Sequence, residues 1–480
     1  MRGATHLNKR SDARTGRGMK RVLRFFVSLF FVTLLAAGCA HYPVNSSLRQ
    51  VDPERGYRAK AMDLPGKSEK MILLLTFSGG GTRAAALSYG VLEELKRTEV
   101  TINGKRRRLL DQVDGIASVS GGSFTAGYYG LFGDRIFEDF EPRFLKKNIE
   151  GALAMRTFLN PVNWVRLSSP YFGRSDLAAE YYDEYVFEGG TFGDMAARKG
   201  PLIVMNATDM ISGVRIGFRQ EAFDVICTDL SSLPVARAAA ASSAVPVLLS
   251  PITIQNYAGS CSYKLPAEME KVLKDHEASS RAFQTVSDLR LYLDAKKRPF
   301  IHLVDGGVAD NLGLRAALDV VLAMGDLWST LKFNGREDVQ KIIVIVVNAE
   351  KKVSEDRYLS GKVPSLGATM DSFSTVMIER YNYDTIMLLR DSFGRWTEKI
   401  RRNRCGNGPV STEPGSCGDI QFYLVEVKFD ALKDASERAY LNSLPTSFHL
   451  SSEEVDRLRD AARRILVEAD EFQRLLRDLK

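Results

Sequence analysis

Residues 71–97 read MILLLTFSGGGTRAAALSYGVLEELKR, and the fold turns on how they are parsed. Met71–Phe77 is an uncharged, mostly apolar run with no polar alternation. A strand buried on both faces has that pattern, because a parallel sheet carries helices above and below it. Gly79, Gly80 and Gly81 then supply a turn, and residues 82–97 have helical composition with an apolar face. The stretch is one strand–turn–helix unit.

The same order recurs outward along the chain. LLDQVDGIASVS (109–120) is an apolar run, followed by the helical GSFTAGYYGLFG (122–133). Further strands are expected at PLIVMNAT (201–208), Phe300–Val304, Lys341–Asn348 and IQFYLVEVKF (420–429). SSLPVARAAAASSAVP (231–246) is a helix that stops at Pro246. Residues 364–393 form a long helical stretch, and 451–480 a charged amphipathic helix opened by SSEEV. Near-continuous apolar strands alternating with helices predict an α/β fold with a central, mostly parallel sheet covered on both faces. The long segments between strands are read as helical insertions on one core.

The net charge of +7 is confined to the front of the chain. Residues 1–38 hold eight basic residues and one acid, leaving 58 of each sign in the remainder. A balanced body gives no reason to expect a nucleic-acid partner. The local exception is GKRRRLL (104–110), read as a solvated turn or as a contact for anionic lipid headgroups. Phe25–Ala37, an uncharged stretch behind a basic head, is too short for a comfortable membrane span and reads as a secretory signal. The following Gly38-Cys39 resembles the bacterial lipobox, in which cleavage leaves a lipidated cysteine. The other reading is an uncleaved N-terminal anchor. Either one puts the body on a membrane outside the cytoplasm. Ala40 after the cysteine implies, by that resemblance, the outer membrane facing the periplasm. The expected layout is a signal at 1–38, a polar tether at 39–70, the α/β domain at 71–450 and a terminal helix at 451–480.

Export permits disulfides. Apart from Cys39, the cysteines are Cys227, Cys261, Cys405 and Cys417, which allow three connectivities. Cys405 and Cys417 bracket a Gly/Pro/Ser-rich loop, which favours Cys405–Cys417 and with it Cys227–Cys261. None of the five histidines stands near a cysteine pair at ligand spacing, so no metal is expected, and the chemistry read below at the serine corner needs no organic cofactor.

Three glycine-marked corners carry the chemistry. At FSGGGTR (77–83), backbone N–H groups converge at a helix N-terminus and suit an anion. A phosphate loop lacks its GK[ST] ending. A dinucleotide site, an oxyanion hole and a plain turn remain open on this segment. At Ser118-Val119-Ser120-Gly121-Gly122, Ser120 has small residues two places to either side, as a nucleophile elbow requires. Ser123 lacks glycine two places on. No histidine stands at a strand-end corner to serve as base. At Asp305-Gly306-Gly307 an acid ends a strand on the ligand-binding rim of the sheet. A carboxylate there can take a serine proton directly. Asp310 and Asn311 are read as turn residues.

Taken in order, the corners resemble the patatin-like phospholipase family. Gly79-Gly80-Gly81-Thr82-Arg83 matches its G-G-G-x-R/K block, and Ser118–Gly122 its G-x-S-x-G elbow, with Ser118 at the first glycine. Ala241–Pro246 matches its A-S-x-A-x-P block and Asp305-Gly306-Gly307 its D-G-G/A block. The resemblance spans about 71–315 and implies a three-layer α/β sandwich with a Ser–Asp dyad. It makes Ser120 the nucleophile and Asp305 the base. Gly79, Gly80, Gly81 and Gly121 become oxyanion donors, and Arg83, Gly122, Gly306 and Gly307 supporting residues. The implied activity is hydrolysis of a phospholipid or other acyl ester. Acyl transfer through the same dyad and non-catalytic lipid binding are the alternatives. Trp164, Tyr171, Phe172, Tyr128, Tyr129 and Phe132 are read either as an acyl groove or as core.

Overall fold

A computed structural model describes Arg24 and residues 40–58, 67–102, 104–246, 248–275, 277–352, 359, 361–406 and 420–479. The expected signal (Arg24 apart), Cys39 and Cys417 lie outside these residues. Among them the strands are β1 (Met71–Phe77), β2 (Glu99–Ile102), β3 (Lys105–Arg108), β4 (Val113–Val119), β5 (Leu202–Asp209), β6 (Arg215–Gly217), β7 (Ile252–Gln255), β8 (Phe300–Asp305), β9 (Lys341–Asn348) and β10 (Gln421–Lys428). The helices that matter below are α1 (Gly81–Arg97), α2 (Gly121–Phe132), α3 (Ile149–Leu159), α4 (Pro161–Leu167), α5 (Val235–Ser242), α6 (Gly307–Asp310), α7 (Leu366–Cys405), α8 (Ser452–Glu468) and α9 (Asp470–Asp478).

One eight-stranded sheet runs in the order β10-β9-β1-β4-β5-β8-β7, with β6 paired to β5. From β10 to β5 every pairing is parallel. β8, β7 and β6 join antiparallel. The mostly parallel sheet is therefore as expected, with an antiparallel edge that composition did not signal. β1 sits between β4 and β9; its Leu73, Leu75 and Phe77 are fully buried on one face, while on the other Thr76 is buried and Ile72 packs against a second apolar cluster. That is why the run reads as continuous apolar sequence.

The terminal segment 451–480 departs from the single expected helix. It breaks at Ala469, whose backbone is extended, and forms α8 and α9. α8 buries Val455, Leu458, Ala461, Ala462, Ile465 and Leu466 in the same core as β1 and α1. The expected tether is also drawn in. Asn45 bonds Thr228 and the Gln255 carbonyl, Tyr57 is fully buried, and Arg58 pairs with Asp224 at 2.9 Å. GKRRR closes the β2–β3 hairpin, where Arg106 pairs with Glu99 and Arg108 with Asp111 and Asp134.

Cys227 and Cys261 form a disulfide across 34 residues. Cys405 is also disulfide-bonded. Closing a loop of that first size restricts the unfolded chain by about 3–4 kcal/mol. Replacing Cys227 and Cys261 with serine is expected to lower the urea midpoint accordingly. An unchanged midpoint would remove the bridge from the account of stability.

Candidate active site

The β1–α1 and β4–α2 turns are pressed together backbone to backbone. A Cβ on Gly121 would overlap the Gly81 carbonyl, so glycine alone permits the approach. Two helix N-termini thus meet at one point, each with amides that have no carbonyl behind them in the helix. Ser120 stands at that point with φ 48° and ψ −121°, a conformation disfavoured for a residue bearing Cβ. The turn needed to pass from β4 into α2 holds it there. Strain of this kind is what an elbow uses to push a hydroxyl out of the sheet.

The third corner brings a carboxylate to the same place. Asp305 ends β8 opposite Ala207; its carboxylate accepts from the Gly307 N–H at 2.7 Å and lies close enough to the Ser120 hydroxyl for that group to stabilise its charged form. Burial pushes the Asp305 carboxyl up to about 6, and the Gly307 N–H and the nearby Ser120 hydroxyl pull it only part of the way back. Among the described residues no histidine lies between the two groups. His302 faces Thr253 at 3.0 Å, His41 stacks on Tyr171, and His449 takes its place in the 447–449 turn. His6 and His276 lie outside the described residues.

Ser120 and Ser123 have different surroundings. The Ser123 hydroxyl is fully buried, donates to Ser118 Oγ at 3.1 Å and lies 2.9 Å from Ser242 Oγ. It belongs to a hydroxyl chain beneath the elbow. Ser118, at the position where a glycine was expected, is part of the same chain.

Ser242 belongs to the A-S-x-A-x-P block, to which no role was assigned above. Its hydroxyl accepts the Ser120 N–H at 2.9 Å and donates to the Asn206 carbonyl at 2.7 Å. The Ser242 carbonyl accepts the Gly306 N–H, and the Ala244 carbonyl the Asp305 N–H. The end of α5 therefore bridges the serine and aspartate corners. The signal was present as ASSAVP, a hydroxyl-rich end to an alanine helix, but the function of such an end is set by what it touches.

Gly79 corrects one expectation. Its N–H donates to the Asn311 carbonyl at 3.0 Å, so it is not an oxyanion donor. The amides of Gly80, Gly81 and Gly121 have no such carbonyl among the described residues. Asn311, read as a turn residue, also sets its side-chain oxygen against Gly79 and Gly307 and so joins the first and third corners. Gly122 lies against Phe77 and Ser78, and Gly306 against the Asn206 carbonyl. Arg83 is fully buried. It donates to the carbonyls of Ala349, at 2.9 Å, and Leu444, and to Thr446 Oγ1 at 3.3 Å. Desolvation lowers its guanidinium to about 10, so it remains a cation that clamps the glycine turn. Thr82 N–H on the Ser447 carbonyl completes the clamp.

A cavity of about 280 Å³ opens beside the Asp305 corner, lined by Met210, Pro246, Leu249, Pro251, Val304 and Val308. The aromatics Tyr128, Tyr129 and Phe172 are core, whereas Trp164 and Tyr171 are more than half exposed. Of the two readings, core therefore holds for Tyr128, Tyr129 and Phe172.

A hydroxyl on a carboxylate, beside converging amides and an apolar cavity, suits attack on a carbonyl carbon. A family model described as Patatin-like phospholipase matches residues 75–318, slightly more than half of the chain. A search of curated proteins finds no match. Among solved structures, human GIVD cytosolic phospholipase A2 is similar at 13% identity and a TM-score of 0.42, over 88% of this chain and 65% of that one. VipD from Legionella pneumophila is similar at 10% identity and a TM-score of 0.25, over 88% of this chain and 71% of that one. The chain spans a little under two thirds of the length of the human protein.

Proposed function

The chain belongs to the patatin-like phospholipase family, and from that premise we propose that it is a lipid acyl-ester hydrolase using Ser120 and Asp305. The observation that carries this reading is the meeting of the Ser120 hydroxyl and the Asp305 carboxylate at a strained elbow beside amides with no carbonyl partner among the described residues. Ser120 Oγ attacks the ester carbonyl as its proton passes to Asp305. The carbonyl oxygen becomes an oxyanion held by the amides of Gly80, Gly81 and Gly121. Collapse expels the alcohol, which takes the proton from Asp305 and leaves an acyl-enzyme. Water then gives a proton to Asp305 and attacks the acyl carbon. The second collapse releases the fatty acid and returns the proton to Ser120. The cavity beside Asp305 receives part of the acyl chain. A lipidated Cys39 holds the protein on a membrane of the cell envelope, the outer membrane facing the periplasm.

Asp305 must be ionised to act as base. With its carboxyl at about 6, kcat/KM is expected to rise about tenfold per pH unit on the acid side and to level off above about pH 7. A profile flat from pH 5 to about 8 would mean that another group takes the proton. The decisive assay is release of free fatty acid from phosphatidylcholine by the purified chain, with and without an added alcohol. Appearance of the alcohol's ester in place of free acid would reassign the activity to acyl transfer, and absence of both products would sink the catalytic reading.

A further inference from the structure

The α3–α4 hairpin has an outer face that the body does not cover. Of α3 only Ile149 is buried, and of α4 only Asn163. Met155, Phe158, Leu159, Val162 and Trp164 on the hairpin, and Tyr171 just beyond it, are each between 55% and 71% exposed. A contiguous cluster of that kind marks an interaction surface in a soluble body. We propose that this hairpin inserts into the surface of a lipid bilayer and sets the mouth of the site against it. The inference rests on the reading of a membrane-anchored lipid hydrolase.

Three observations choose the bilayer as occupant. First, the chain enters the body on this hairpin. Ser169 Oγ donates to the Ala40 carbonyl at 2.6 Å, Tyr42 N–H donates to the Tyr171 carbonyl at 2.8 Å, and His41 stacks on Tyr171. Ala40 is bonded to Cys39, which follows the apolar run 25–37. Whether the anchor is an acyl chain or that run itself, membrane lies within a residue or two of the hairpin.

Second, the hairpin is prepared for an apolar medium. The Trp164 indole N–H is satisfied internally by the Phe158 carbonyl at 3.0 Å. An unsatisfied donor in hydrocarbon costs several kcal/mol, and this one is already paired. The nearby cations are neutralised as well, Arg156 by Glu184 and Arg166 by Glu180. Docking is therefore driven by apolar burial and depends little on anionic lipid.

Third, the hairpin touches both sides of the site. At its start, Ile149 N–H donates to the Phe448 carbonyl and Glu150 accepts from Ser447 Oγ, while the Ser447 carbonyl holds Thr82 of the glycine turn. Beyond its end, Ser175 N–H donates to Ser250 Oγ at 3.0 Å, between the cavity residues Leu249 and Pro251. Seating the hairpin thus turns the oxyanion corner and the cavity toward the same lipid surface.

The test uses the full chain with its anchor, reconstituted in phosphatidylcholine vesicles containing acyl-brominated phosphatidylcholine, a contact quencher of tryptophan. Trp328 and Trp396 pack against the inner clusters, so quenching is expected to come from Trp164 and to vanish in Trp164→Phe. Phe158→Asp with Leu159→Asp is expected to abolish quenching and to slow hydrolysis of vesicle phosphatidylcholine at least about tenfold. Hydrolysis of a water-soluble short-chain ester should be unchanged. Unquenched Trp164 in the anchored chain, or a double variant as active on vesicles as the parent, overturns the proposal. So does a concentration-dependent dimer that the double variant loses, because it would assign the face to a second copy. Quenching by a chain that hydrolyses neither substrate would uphold docking and reject the enzymatic reading, so the two failures are told apart.

Discussion

Ser120→Ala is expected to lower kcat on phospholipid or a short-chain ester by about 10⁴-fold or more and to abolish covalent capture by a fluorophosphonate. The variant keeps the Cβ and so keeps the elbow at φ 48°. What it loses is the attacking oxygen. Ser120→Gly should be equally inactive and yet more stable than the parent. Relief of the positive φ returns about 1–3 kcal/mol. The added freedom of the unfolded glycine takes back about 0.5–1 kcal/mol, leaving a net gain on the order of 1 kcal/mol. Ser123→Ala is the control. Its hydroxyl is spent on Ser118 and Ser242, so the variant should lose about 1–2 kcal/mol of stability and still be labelled. Labelling that survives Ser120→Ala and disappears in Ser123→Ala would transfer the nucleophile to Ser123.

Asp305→Asn should be as damaging to turnover, with the opposite effect on stability at alkaline pH. The folded protein holds the Asp305 proton up to about pH 6, whereas the unfolded chain releases it near 3.8. The contribution of this group to stability is therefore fullest below 3.8 and is lost as pH rises through about 6. At pH 8 the buried carboxylate weakens the fold by about 3 kcal/mol relative to its neutral form. Asparagine keeps the acceptor for the Gly307 N–H, and its amide can donate to Ser120, without a charge to bury. The variant should thus melt above the parent at pH 8, and the difference should close near pH 4. Asp310 is also held up to about 6, chiefly by burial, and contributes the same slope to both proteins, so the comparison cancels it. An Asn variant no more stable at pH 8 than at pH 4, relative to the parent, would show that Asp305 is not destabilised by its burial.

The parts of this architecture written in local sequence were readable there. Met71–Phe77 and Lys341–Asn348 are strands with the expected bounds, because burial on both faces imposes continuous apolar character. The three corners were readable because close backbone approach admits few residue types. Ser118 shows the limit of that reasoning. A serine is tolerated at the glycine position because Ser123 gives its hydroxyl a partner, a fact about residues five apart and folded together. The direction of β7 and β8 was not readable, since an edge strand carries no mark of its partner's polarity. Nor was the Asn311 carbonyl on Gly79, which removes one amide from the anion site through a contact 232 residues away in the chain. Ala469 breaks the last helix without a glycine or proline to announce it.

Recognition by similarity and cooperative folding have different borders in this protein. The matched segment stops at residue 318, yet β9 and then β10 lie beyond it and occupy one flank of β1. The acceptors that grip Arg83 come from residues 349 and 444–446. A fragment trimmed to the recognisable portion would expose the raw hydrogen-bonding margin of its most apolar strand, an invitation to intermolecular pairing. Changes far downstream of the last recognisable motif therefore reach the glycine corner in one step, and a chain cut short before residue 444 is expected to lose two of the three acceptors that hold Arg83.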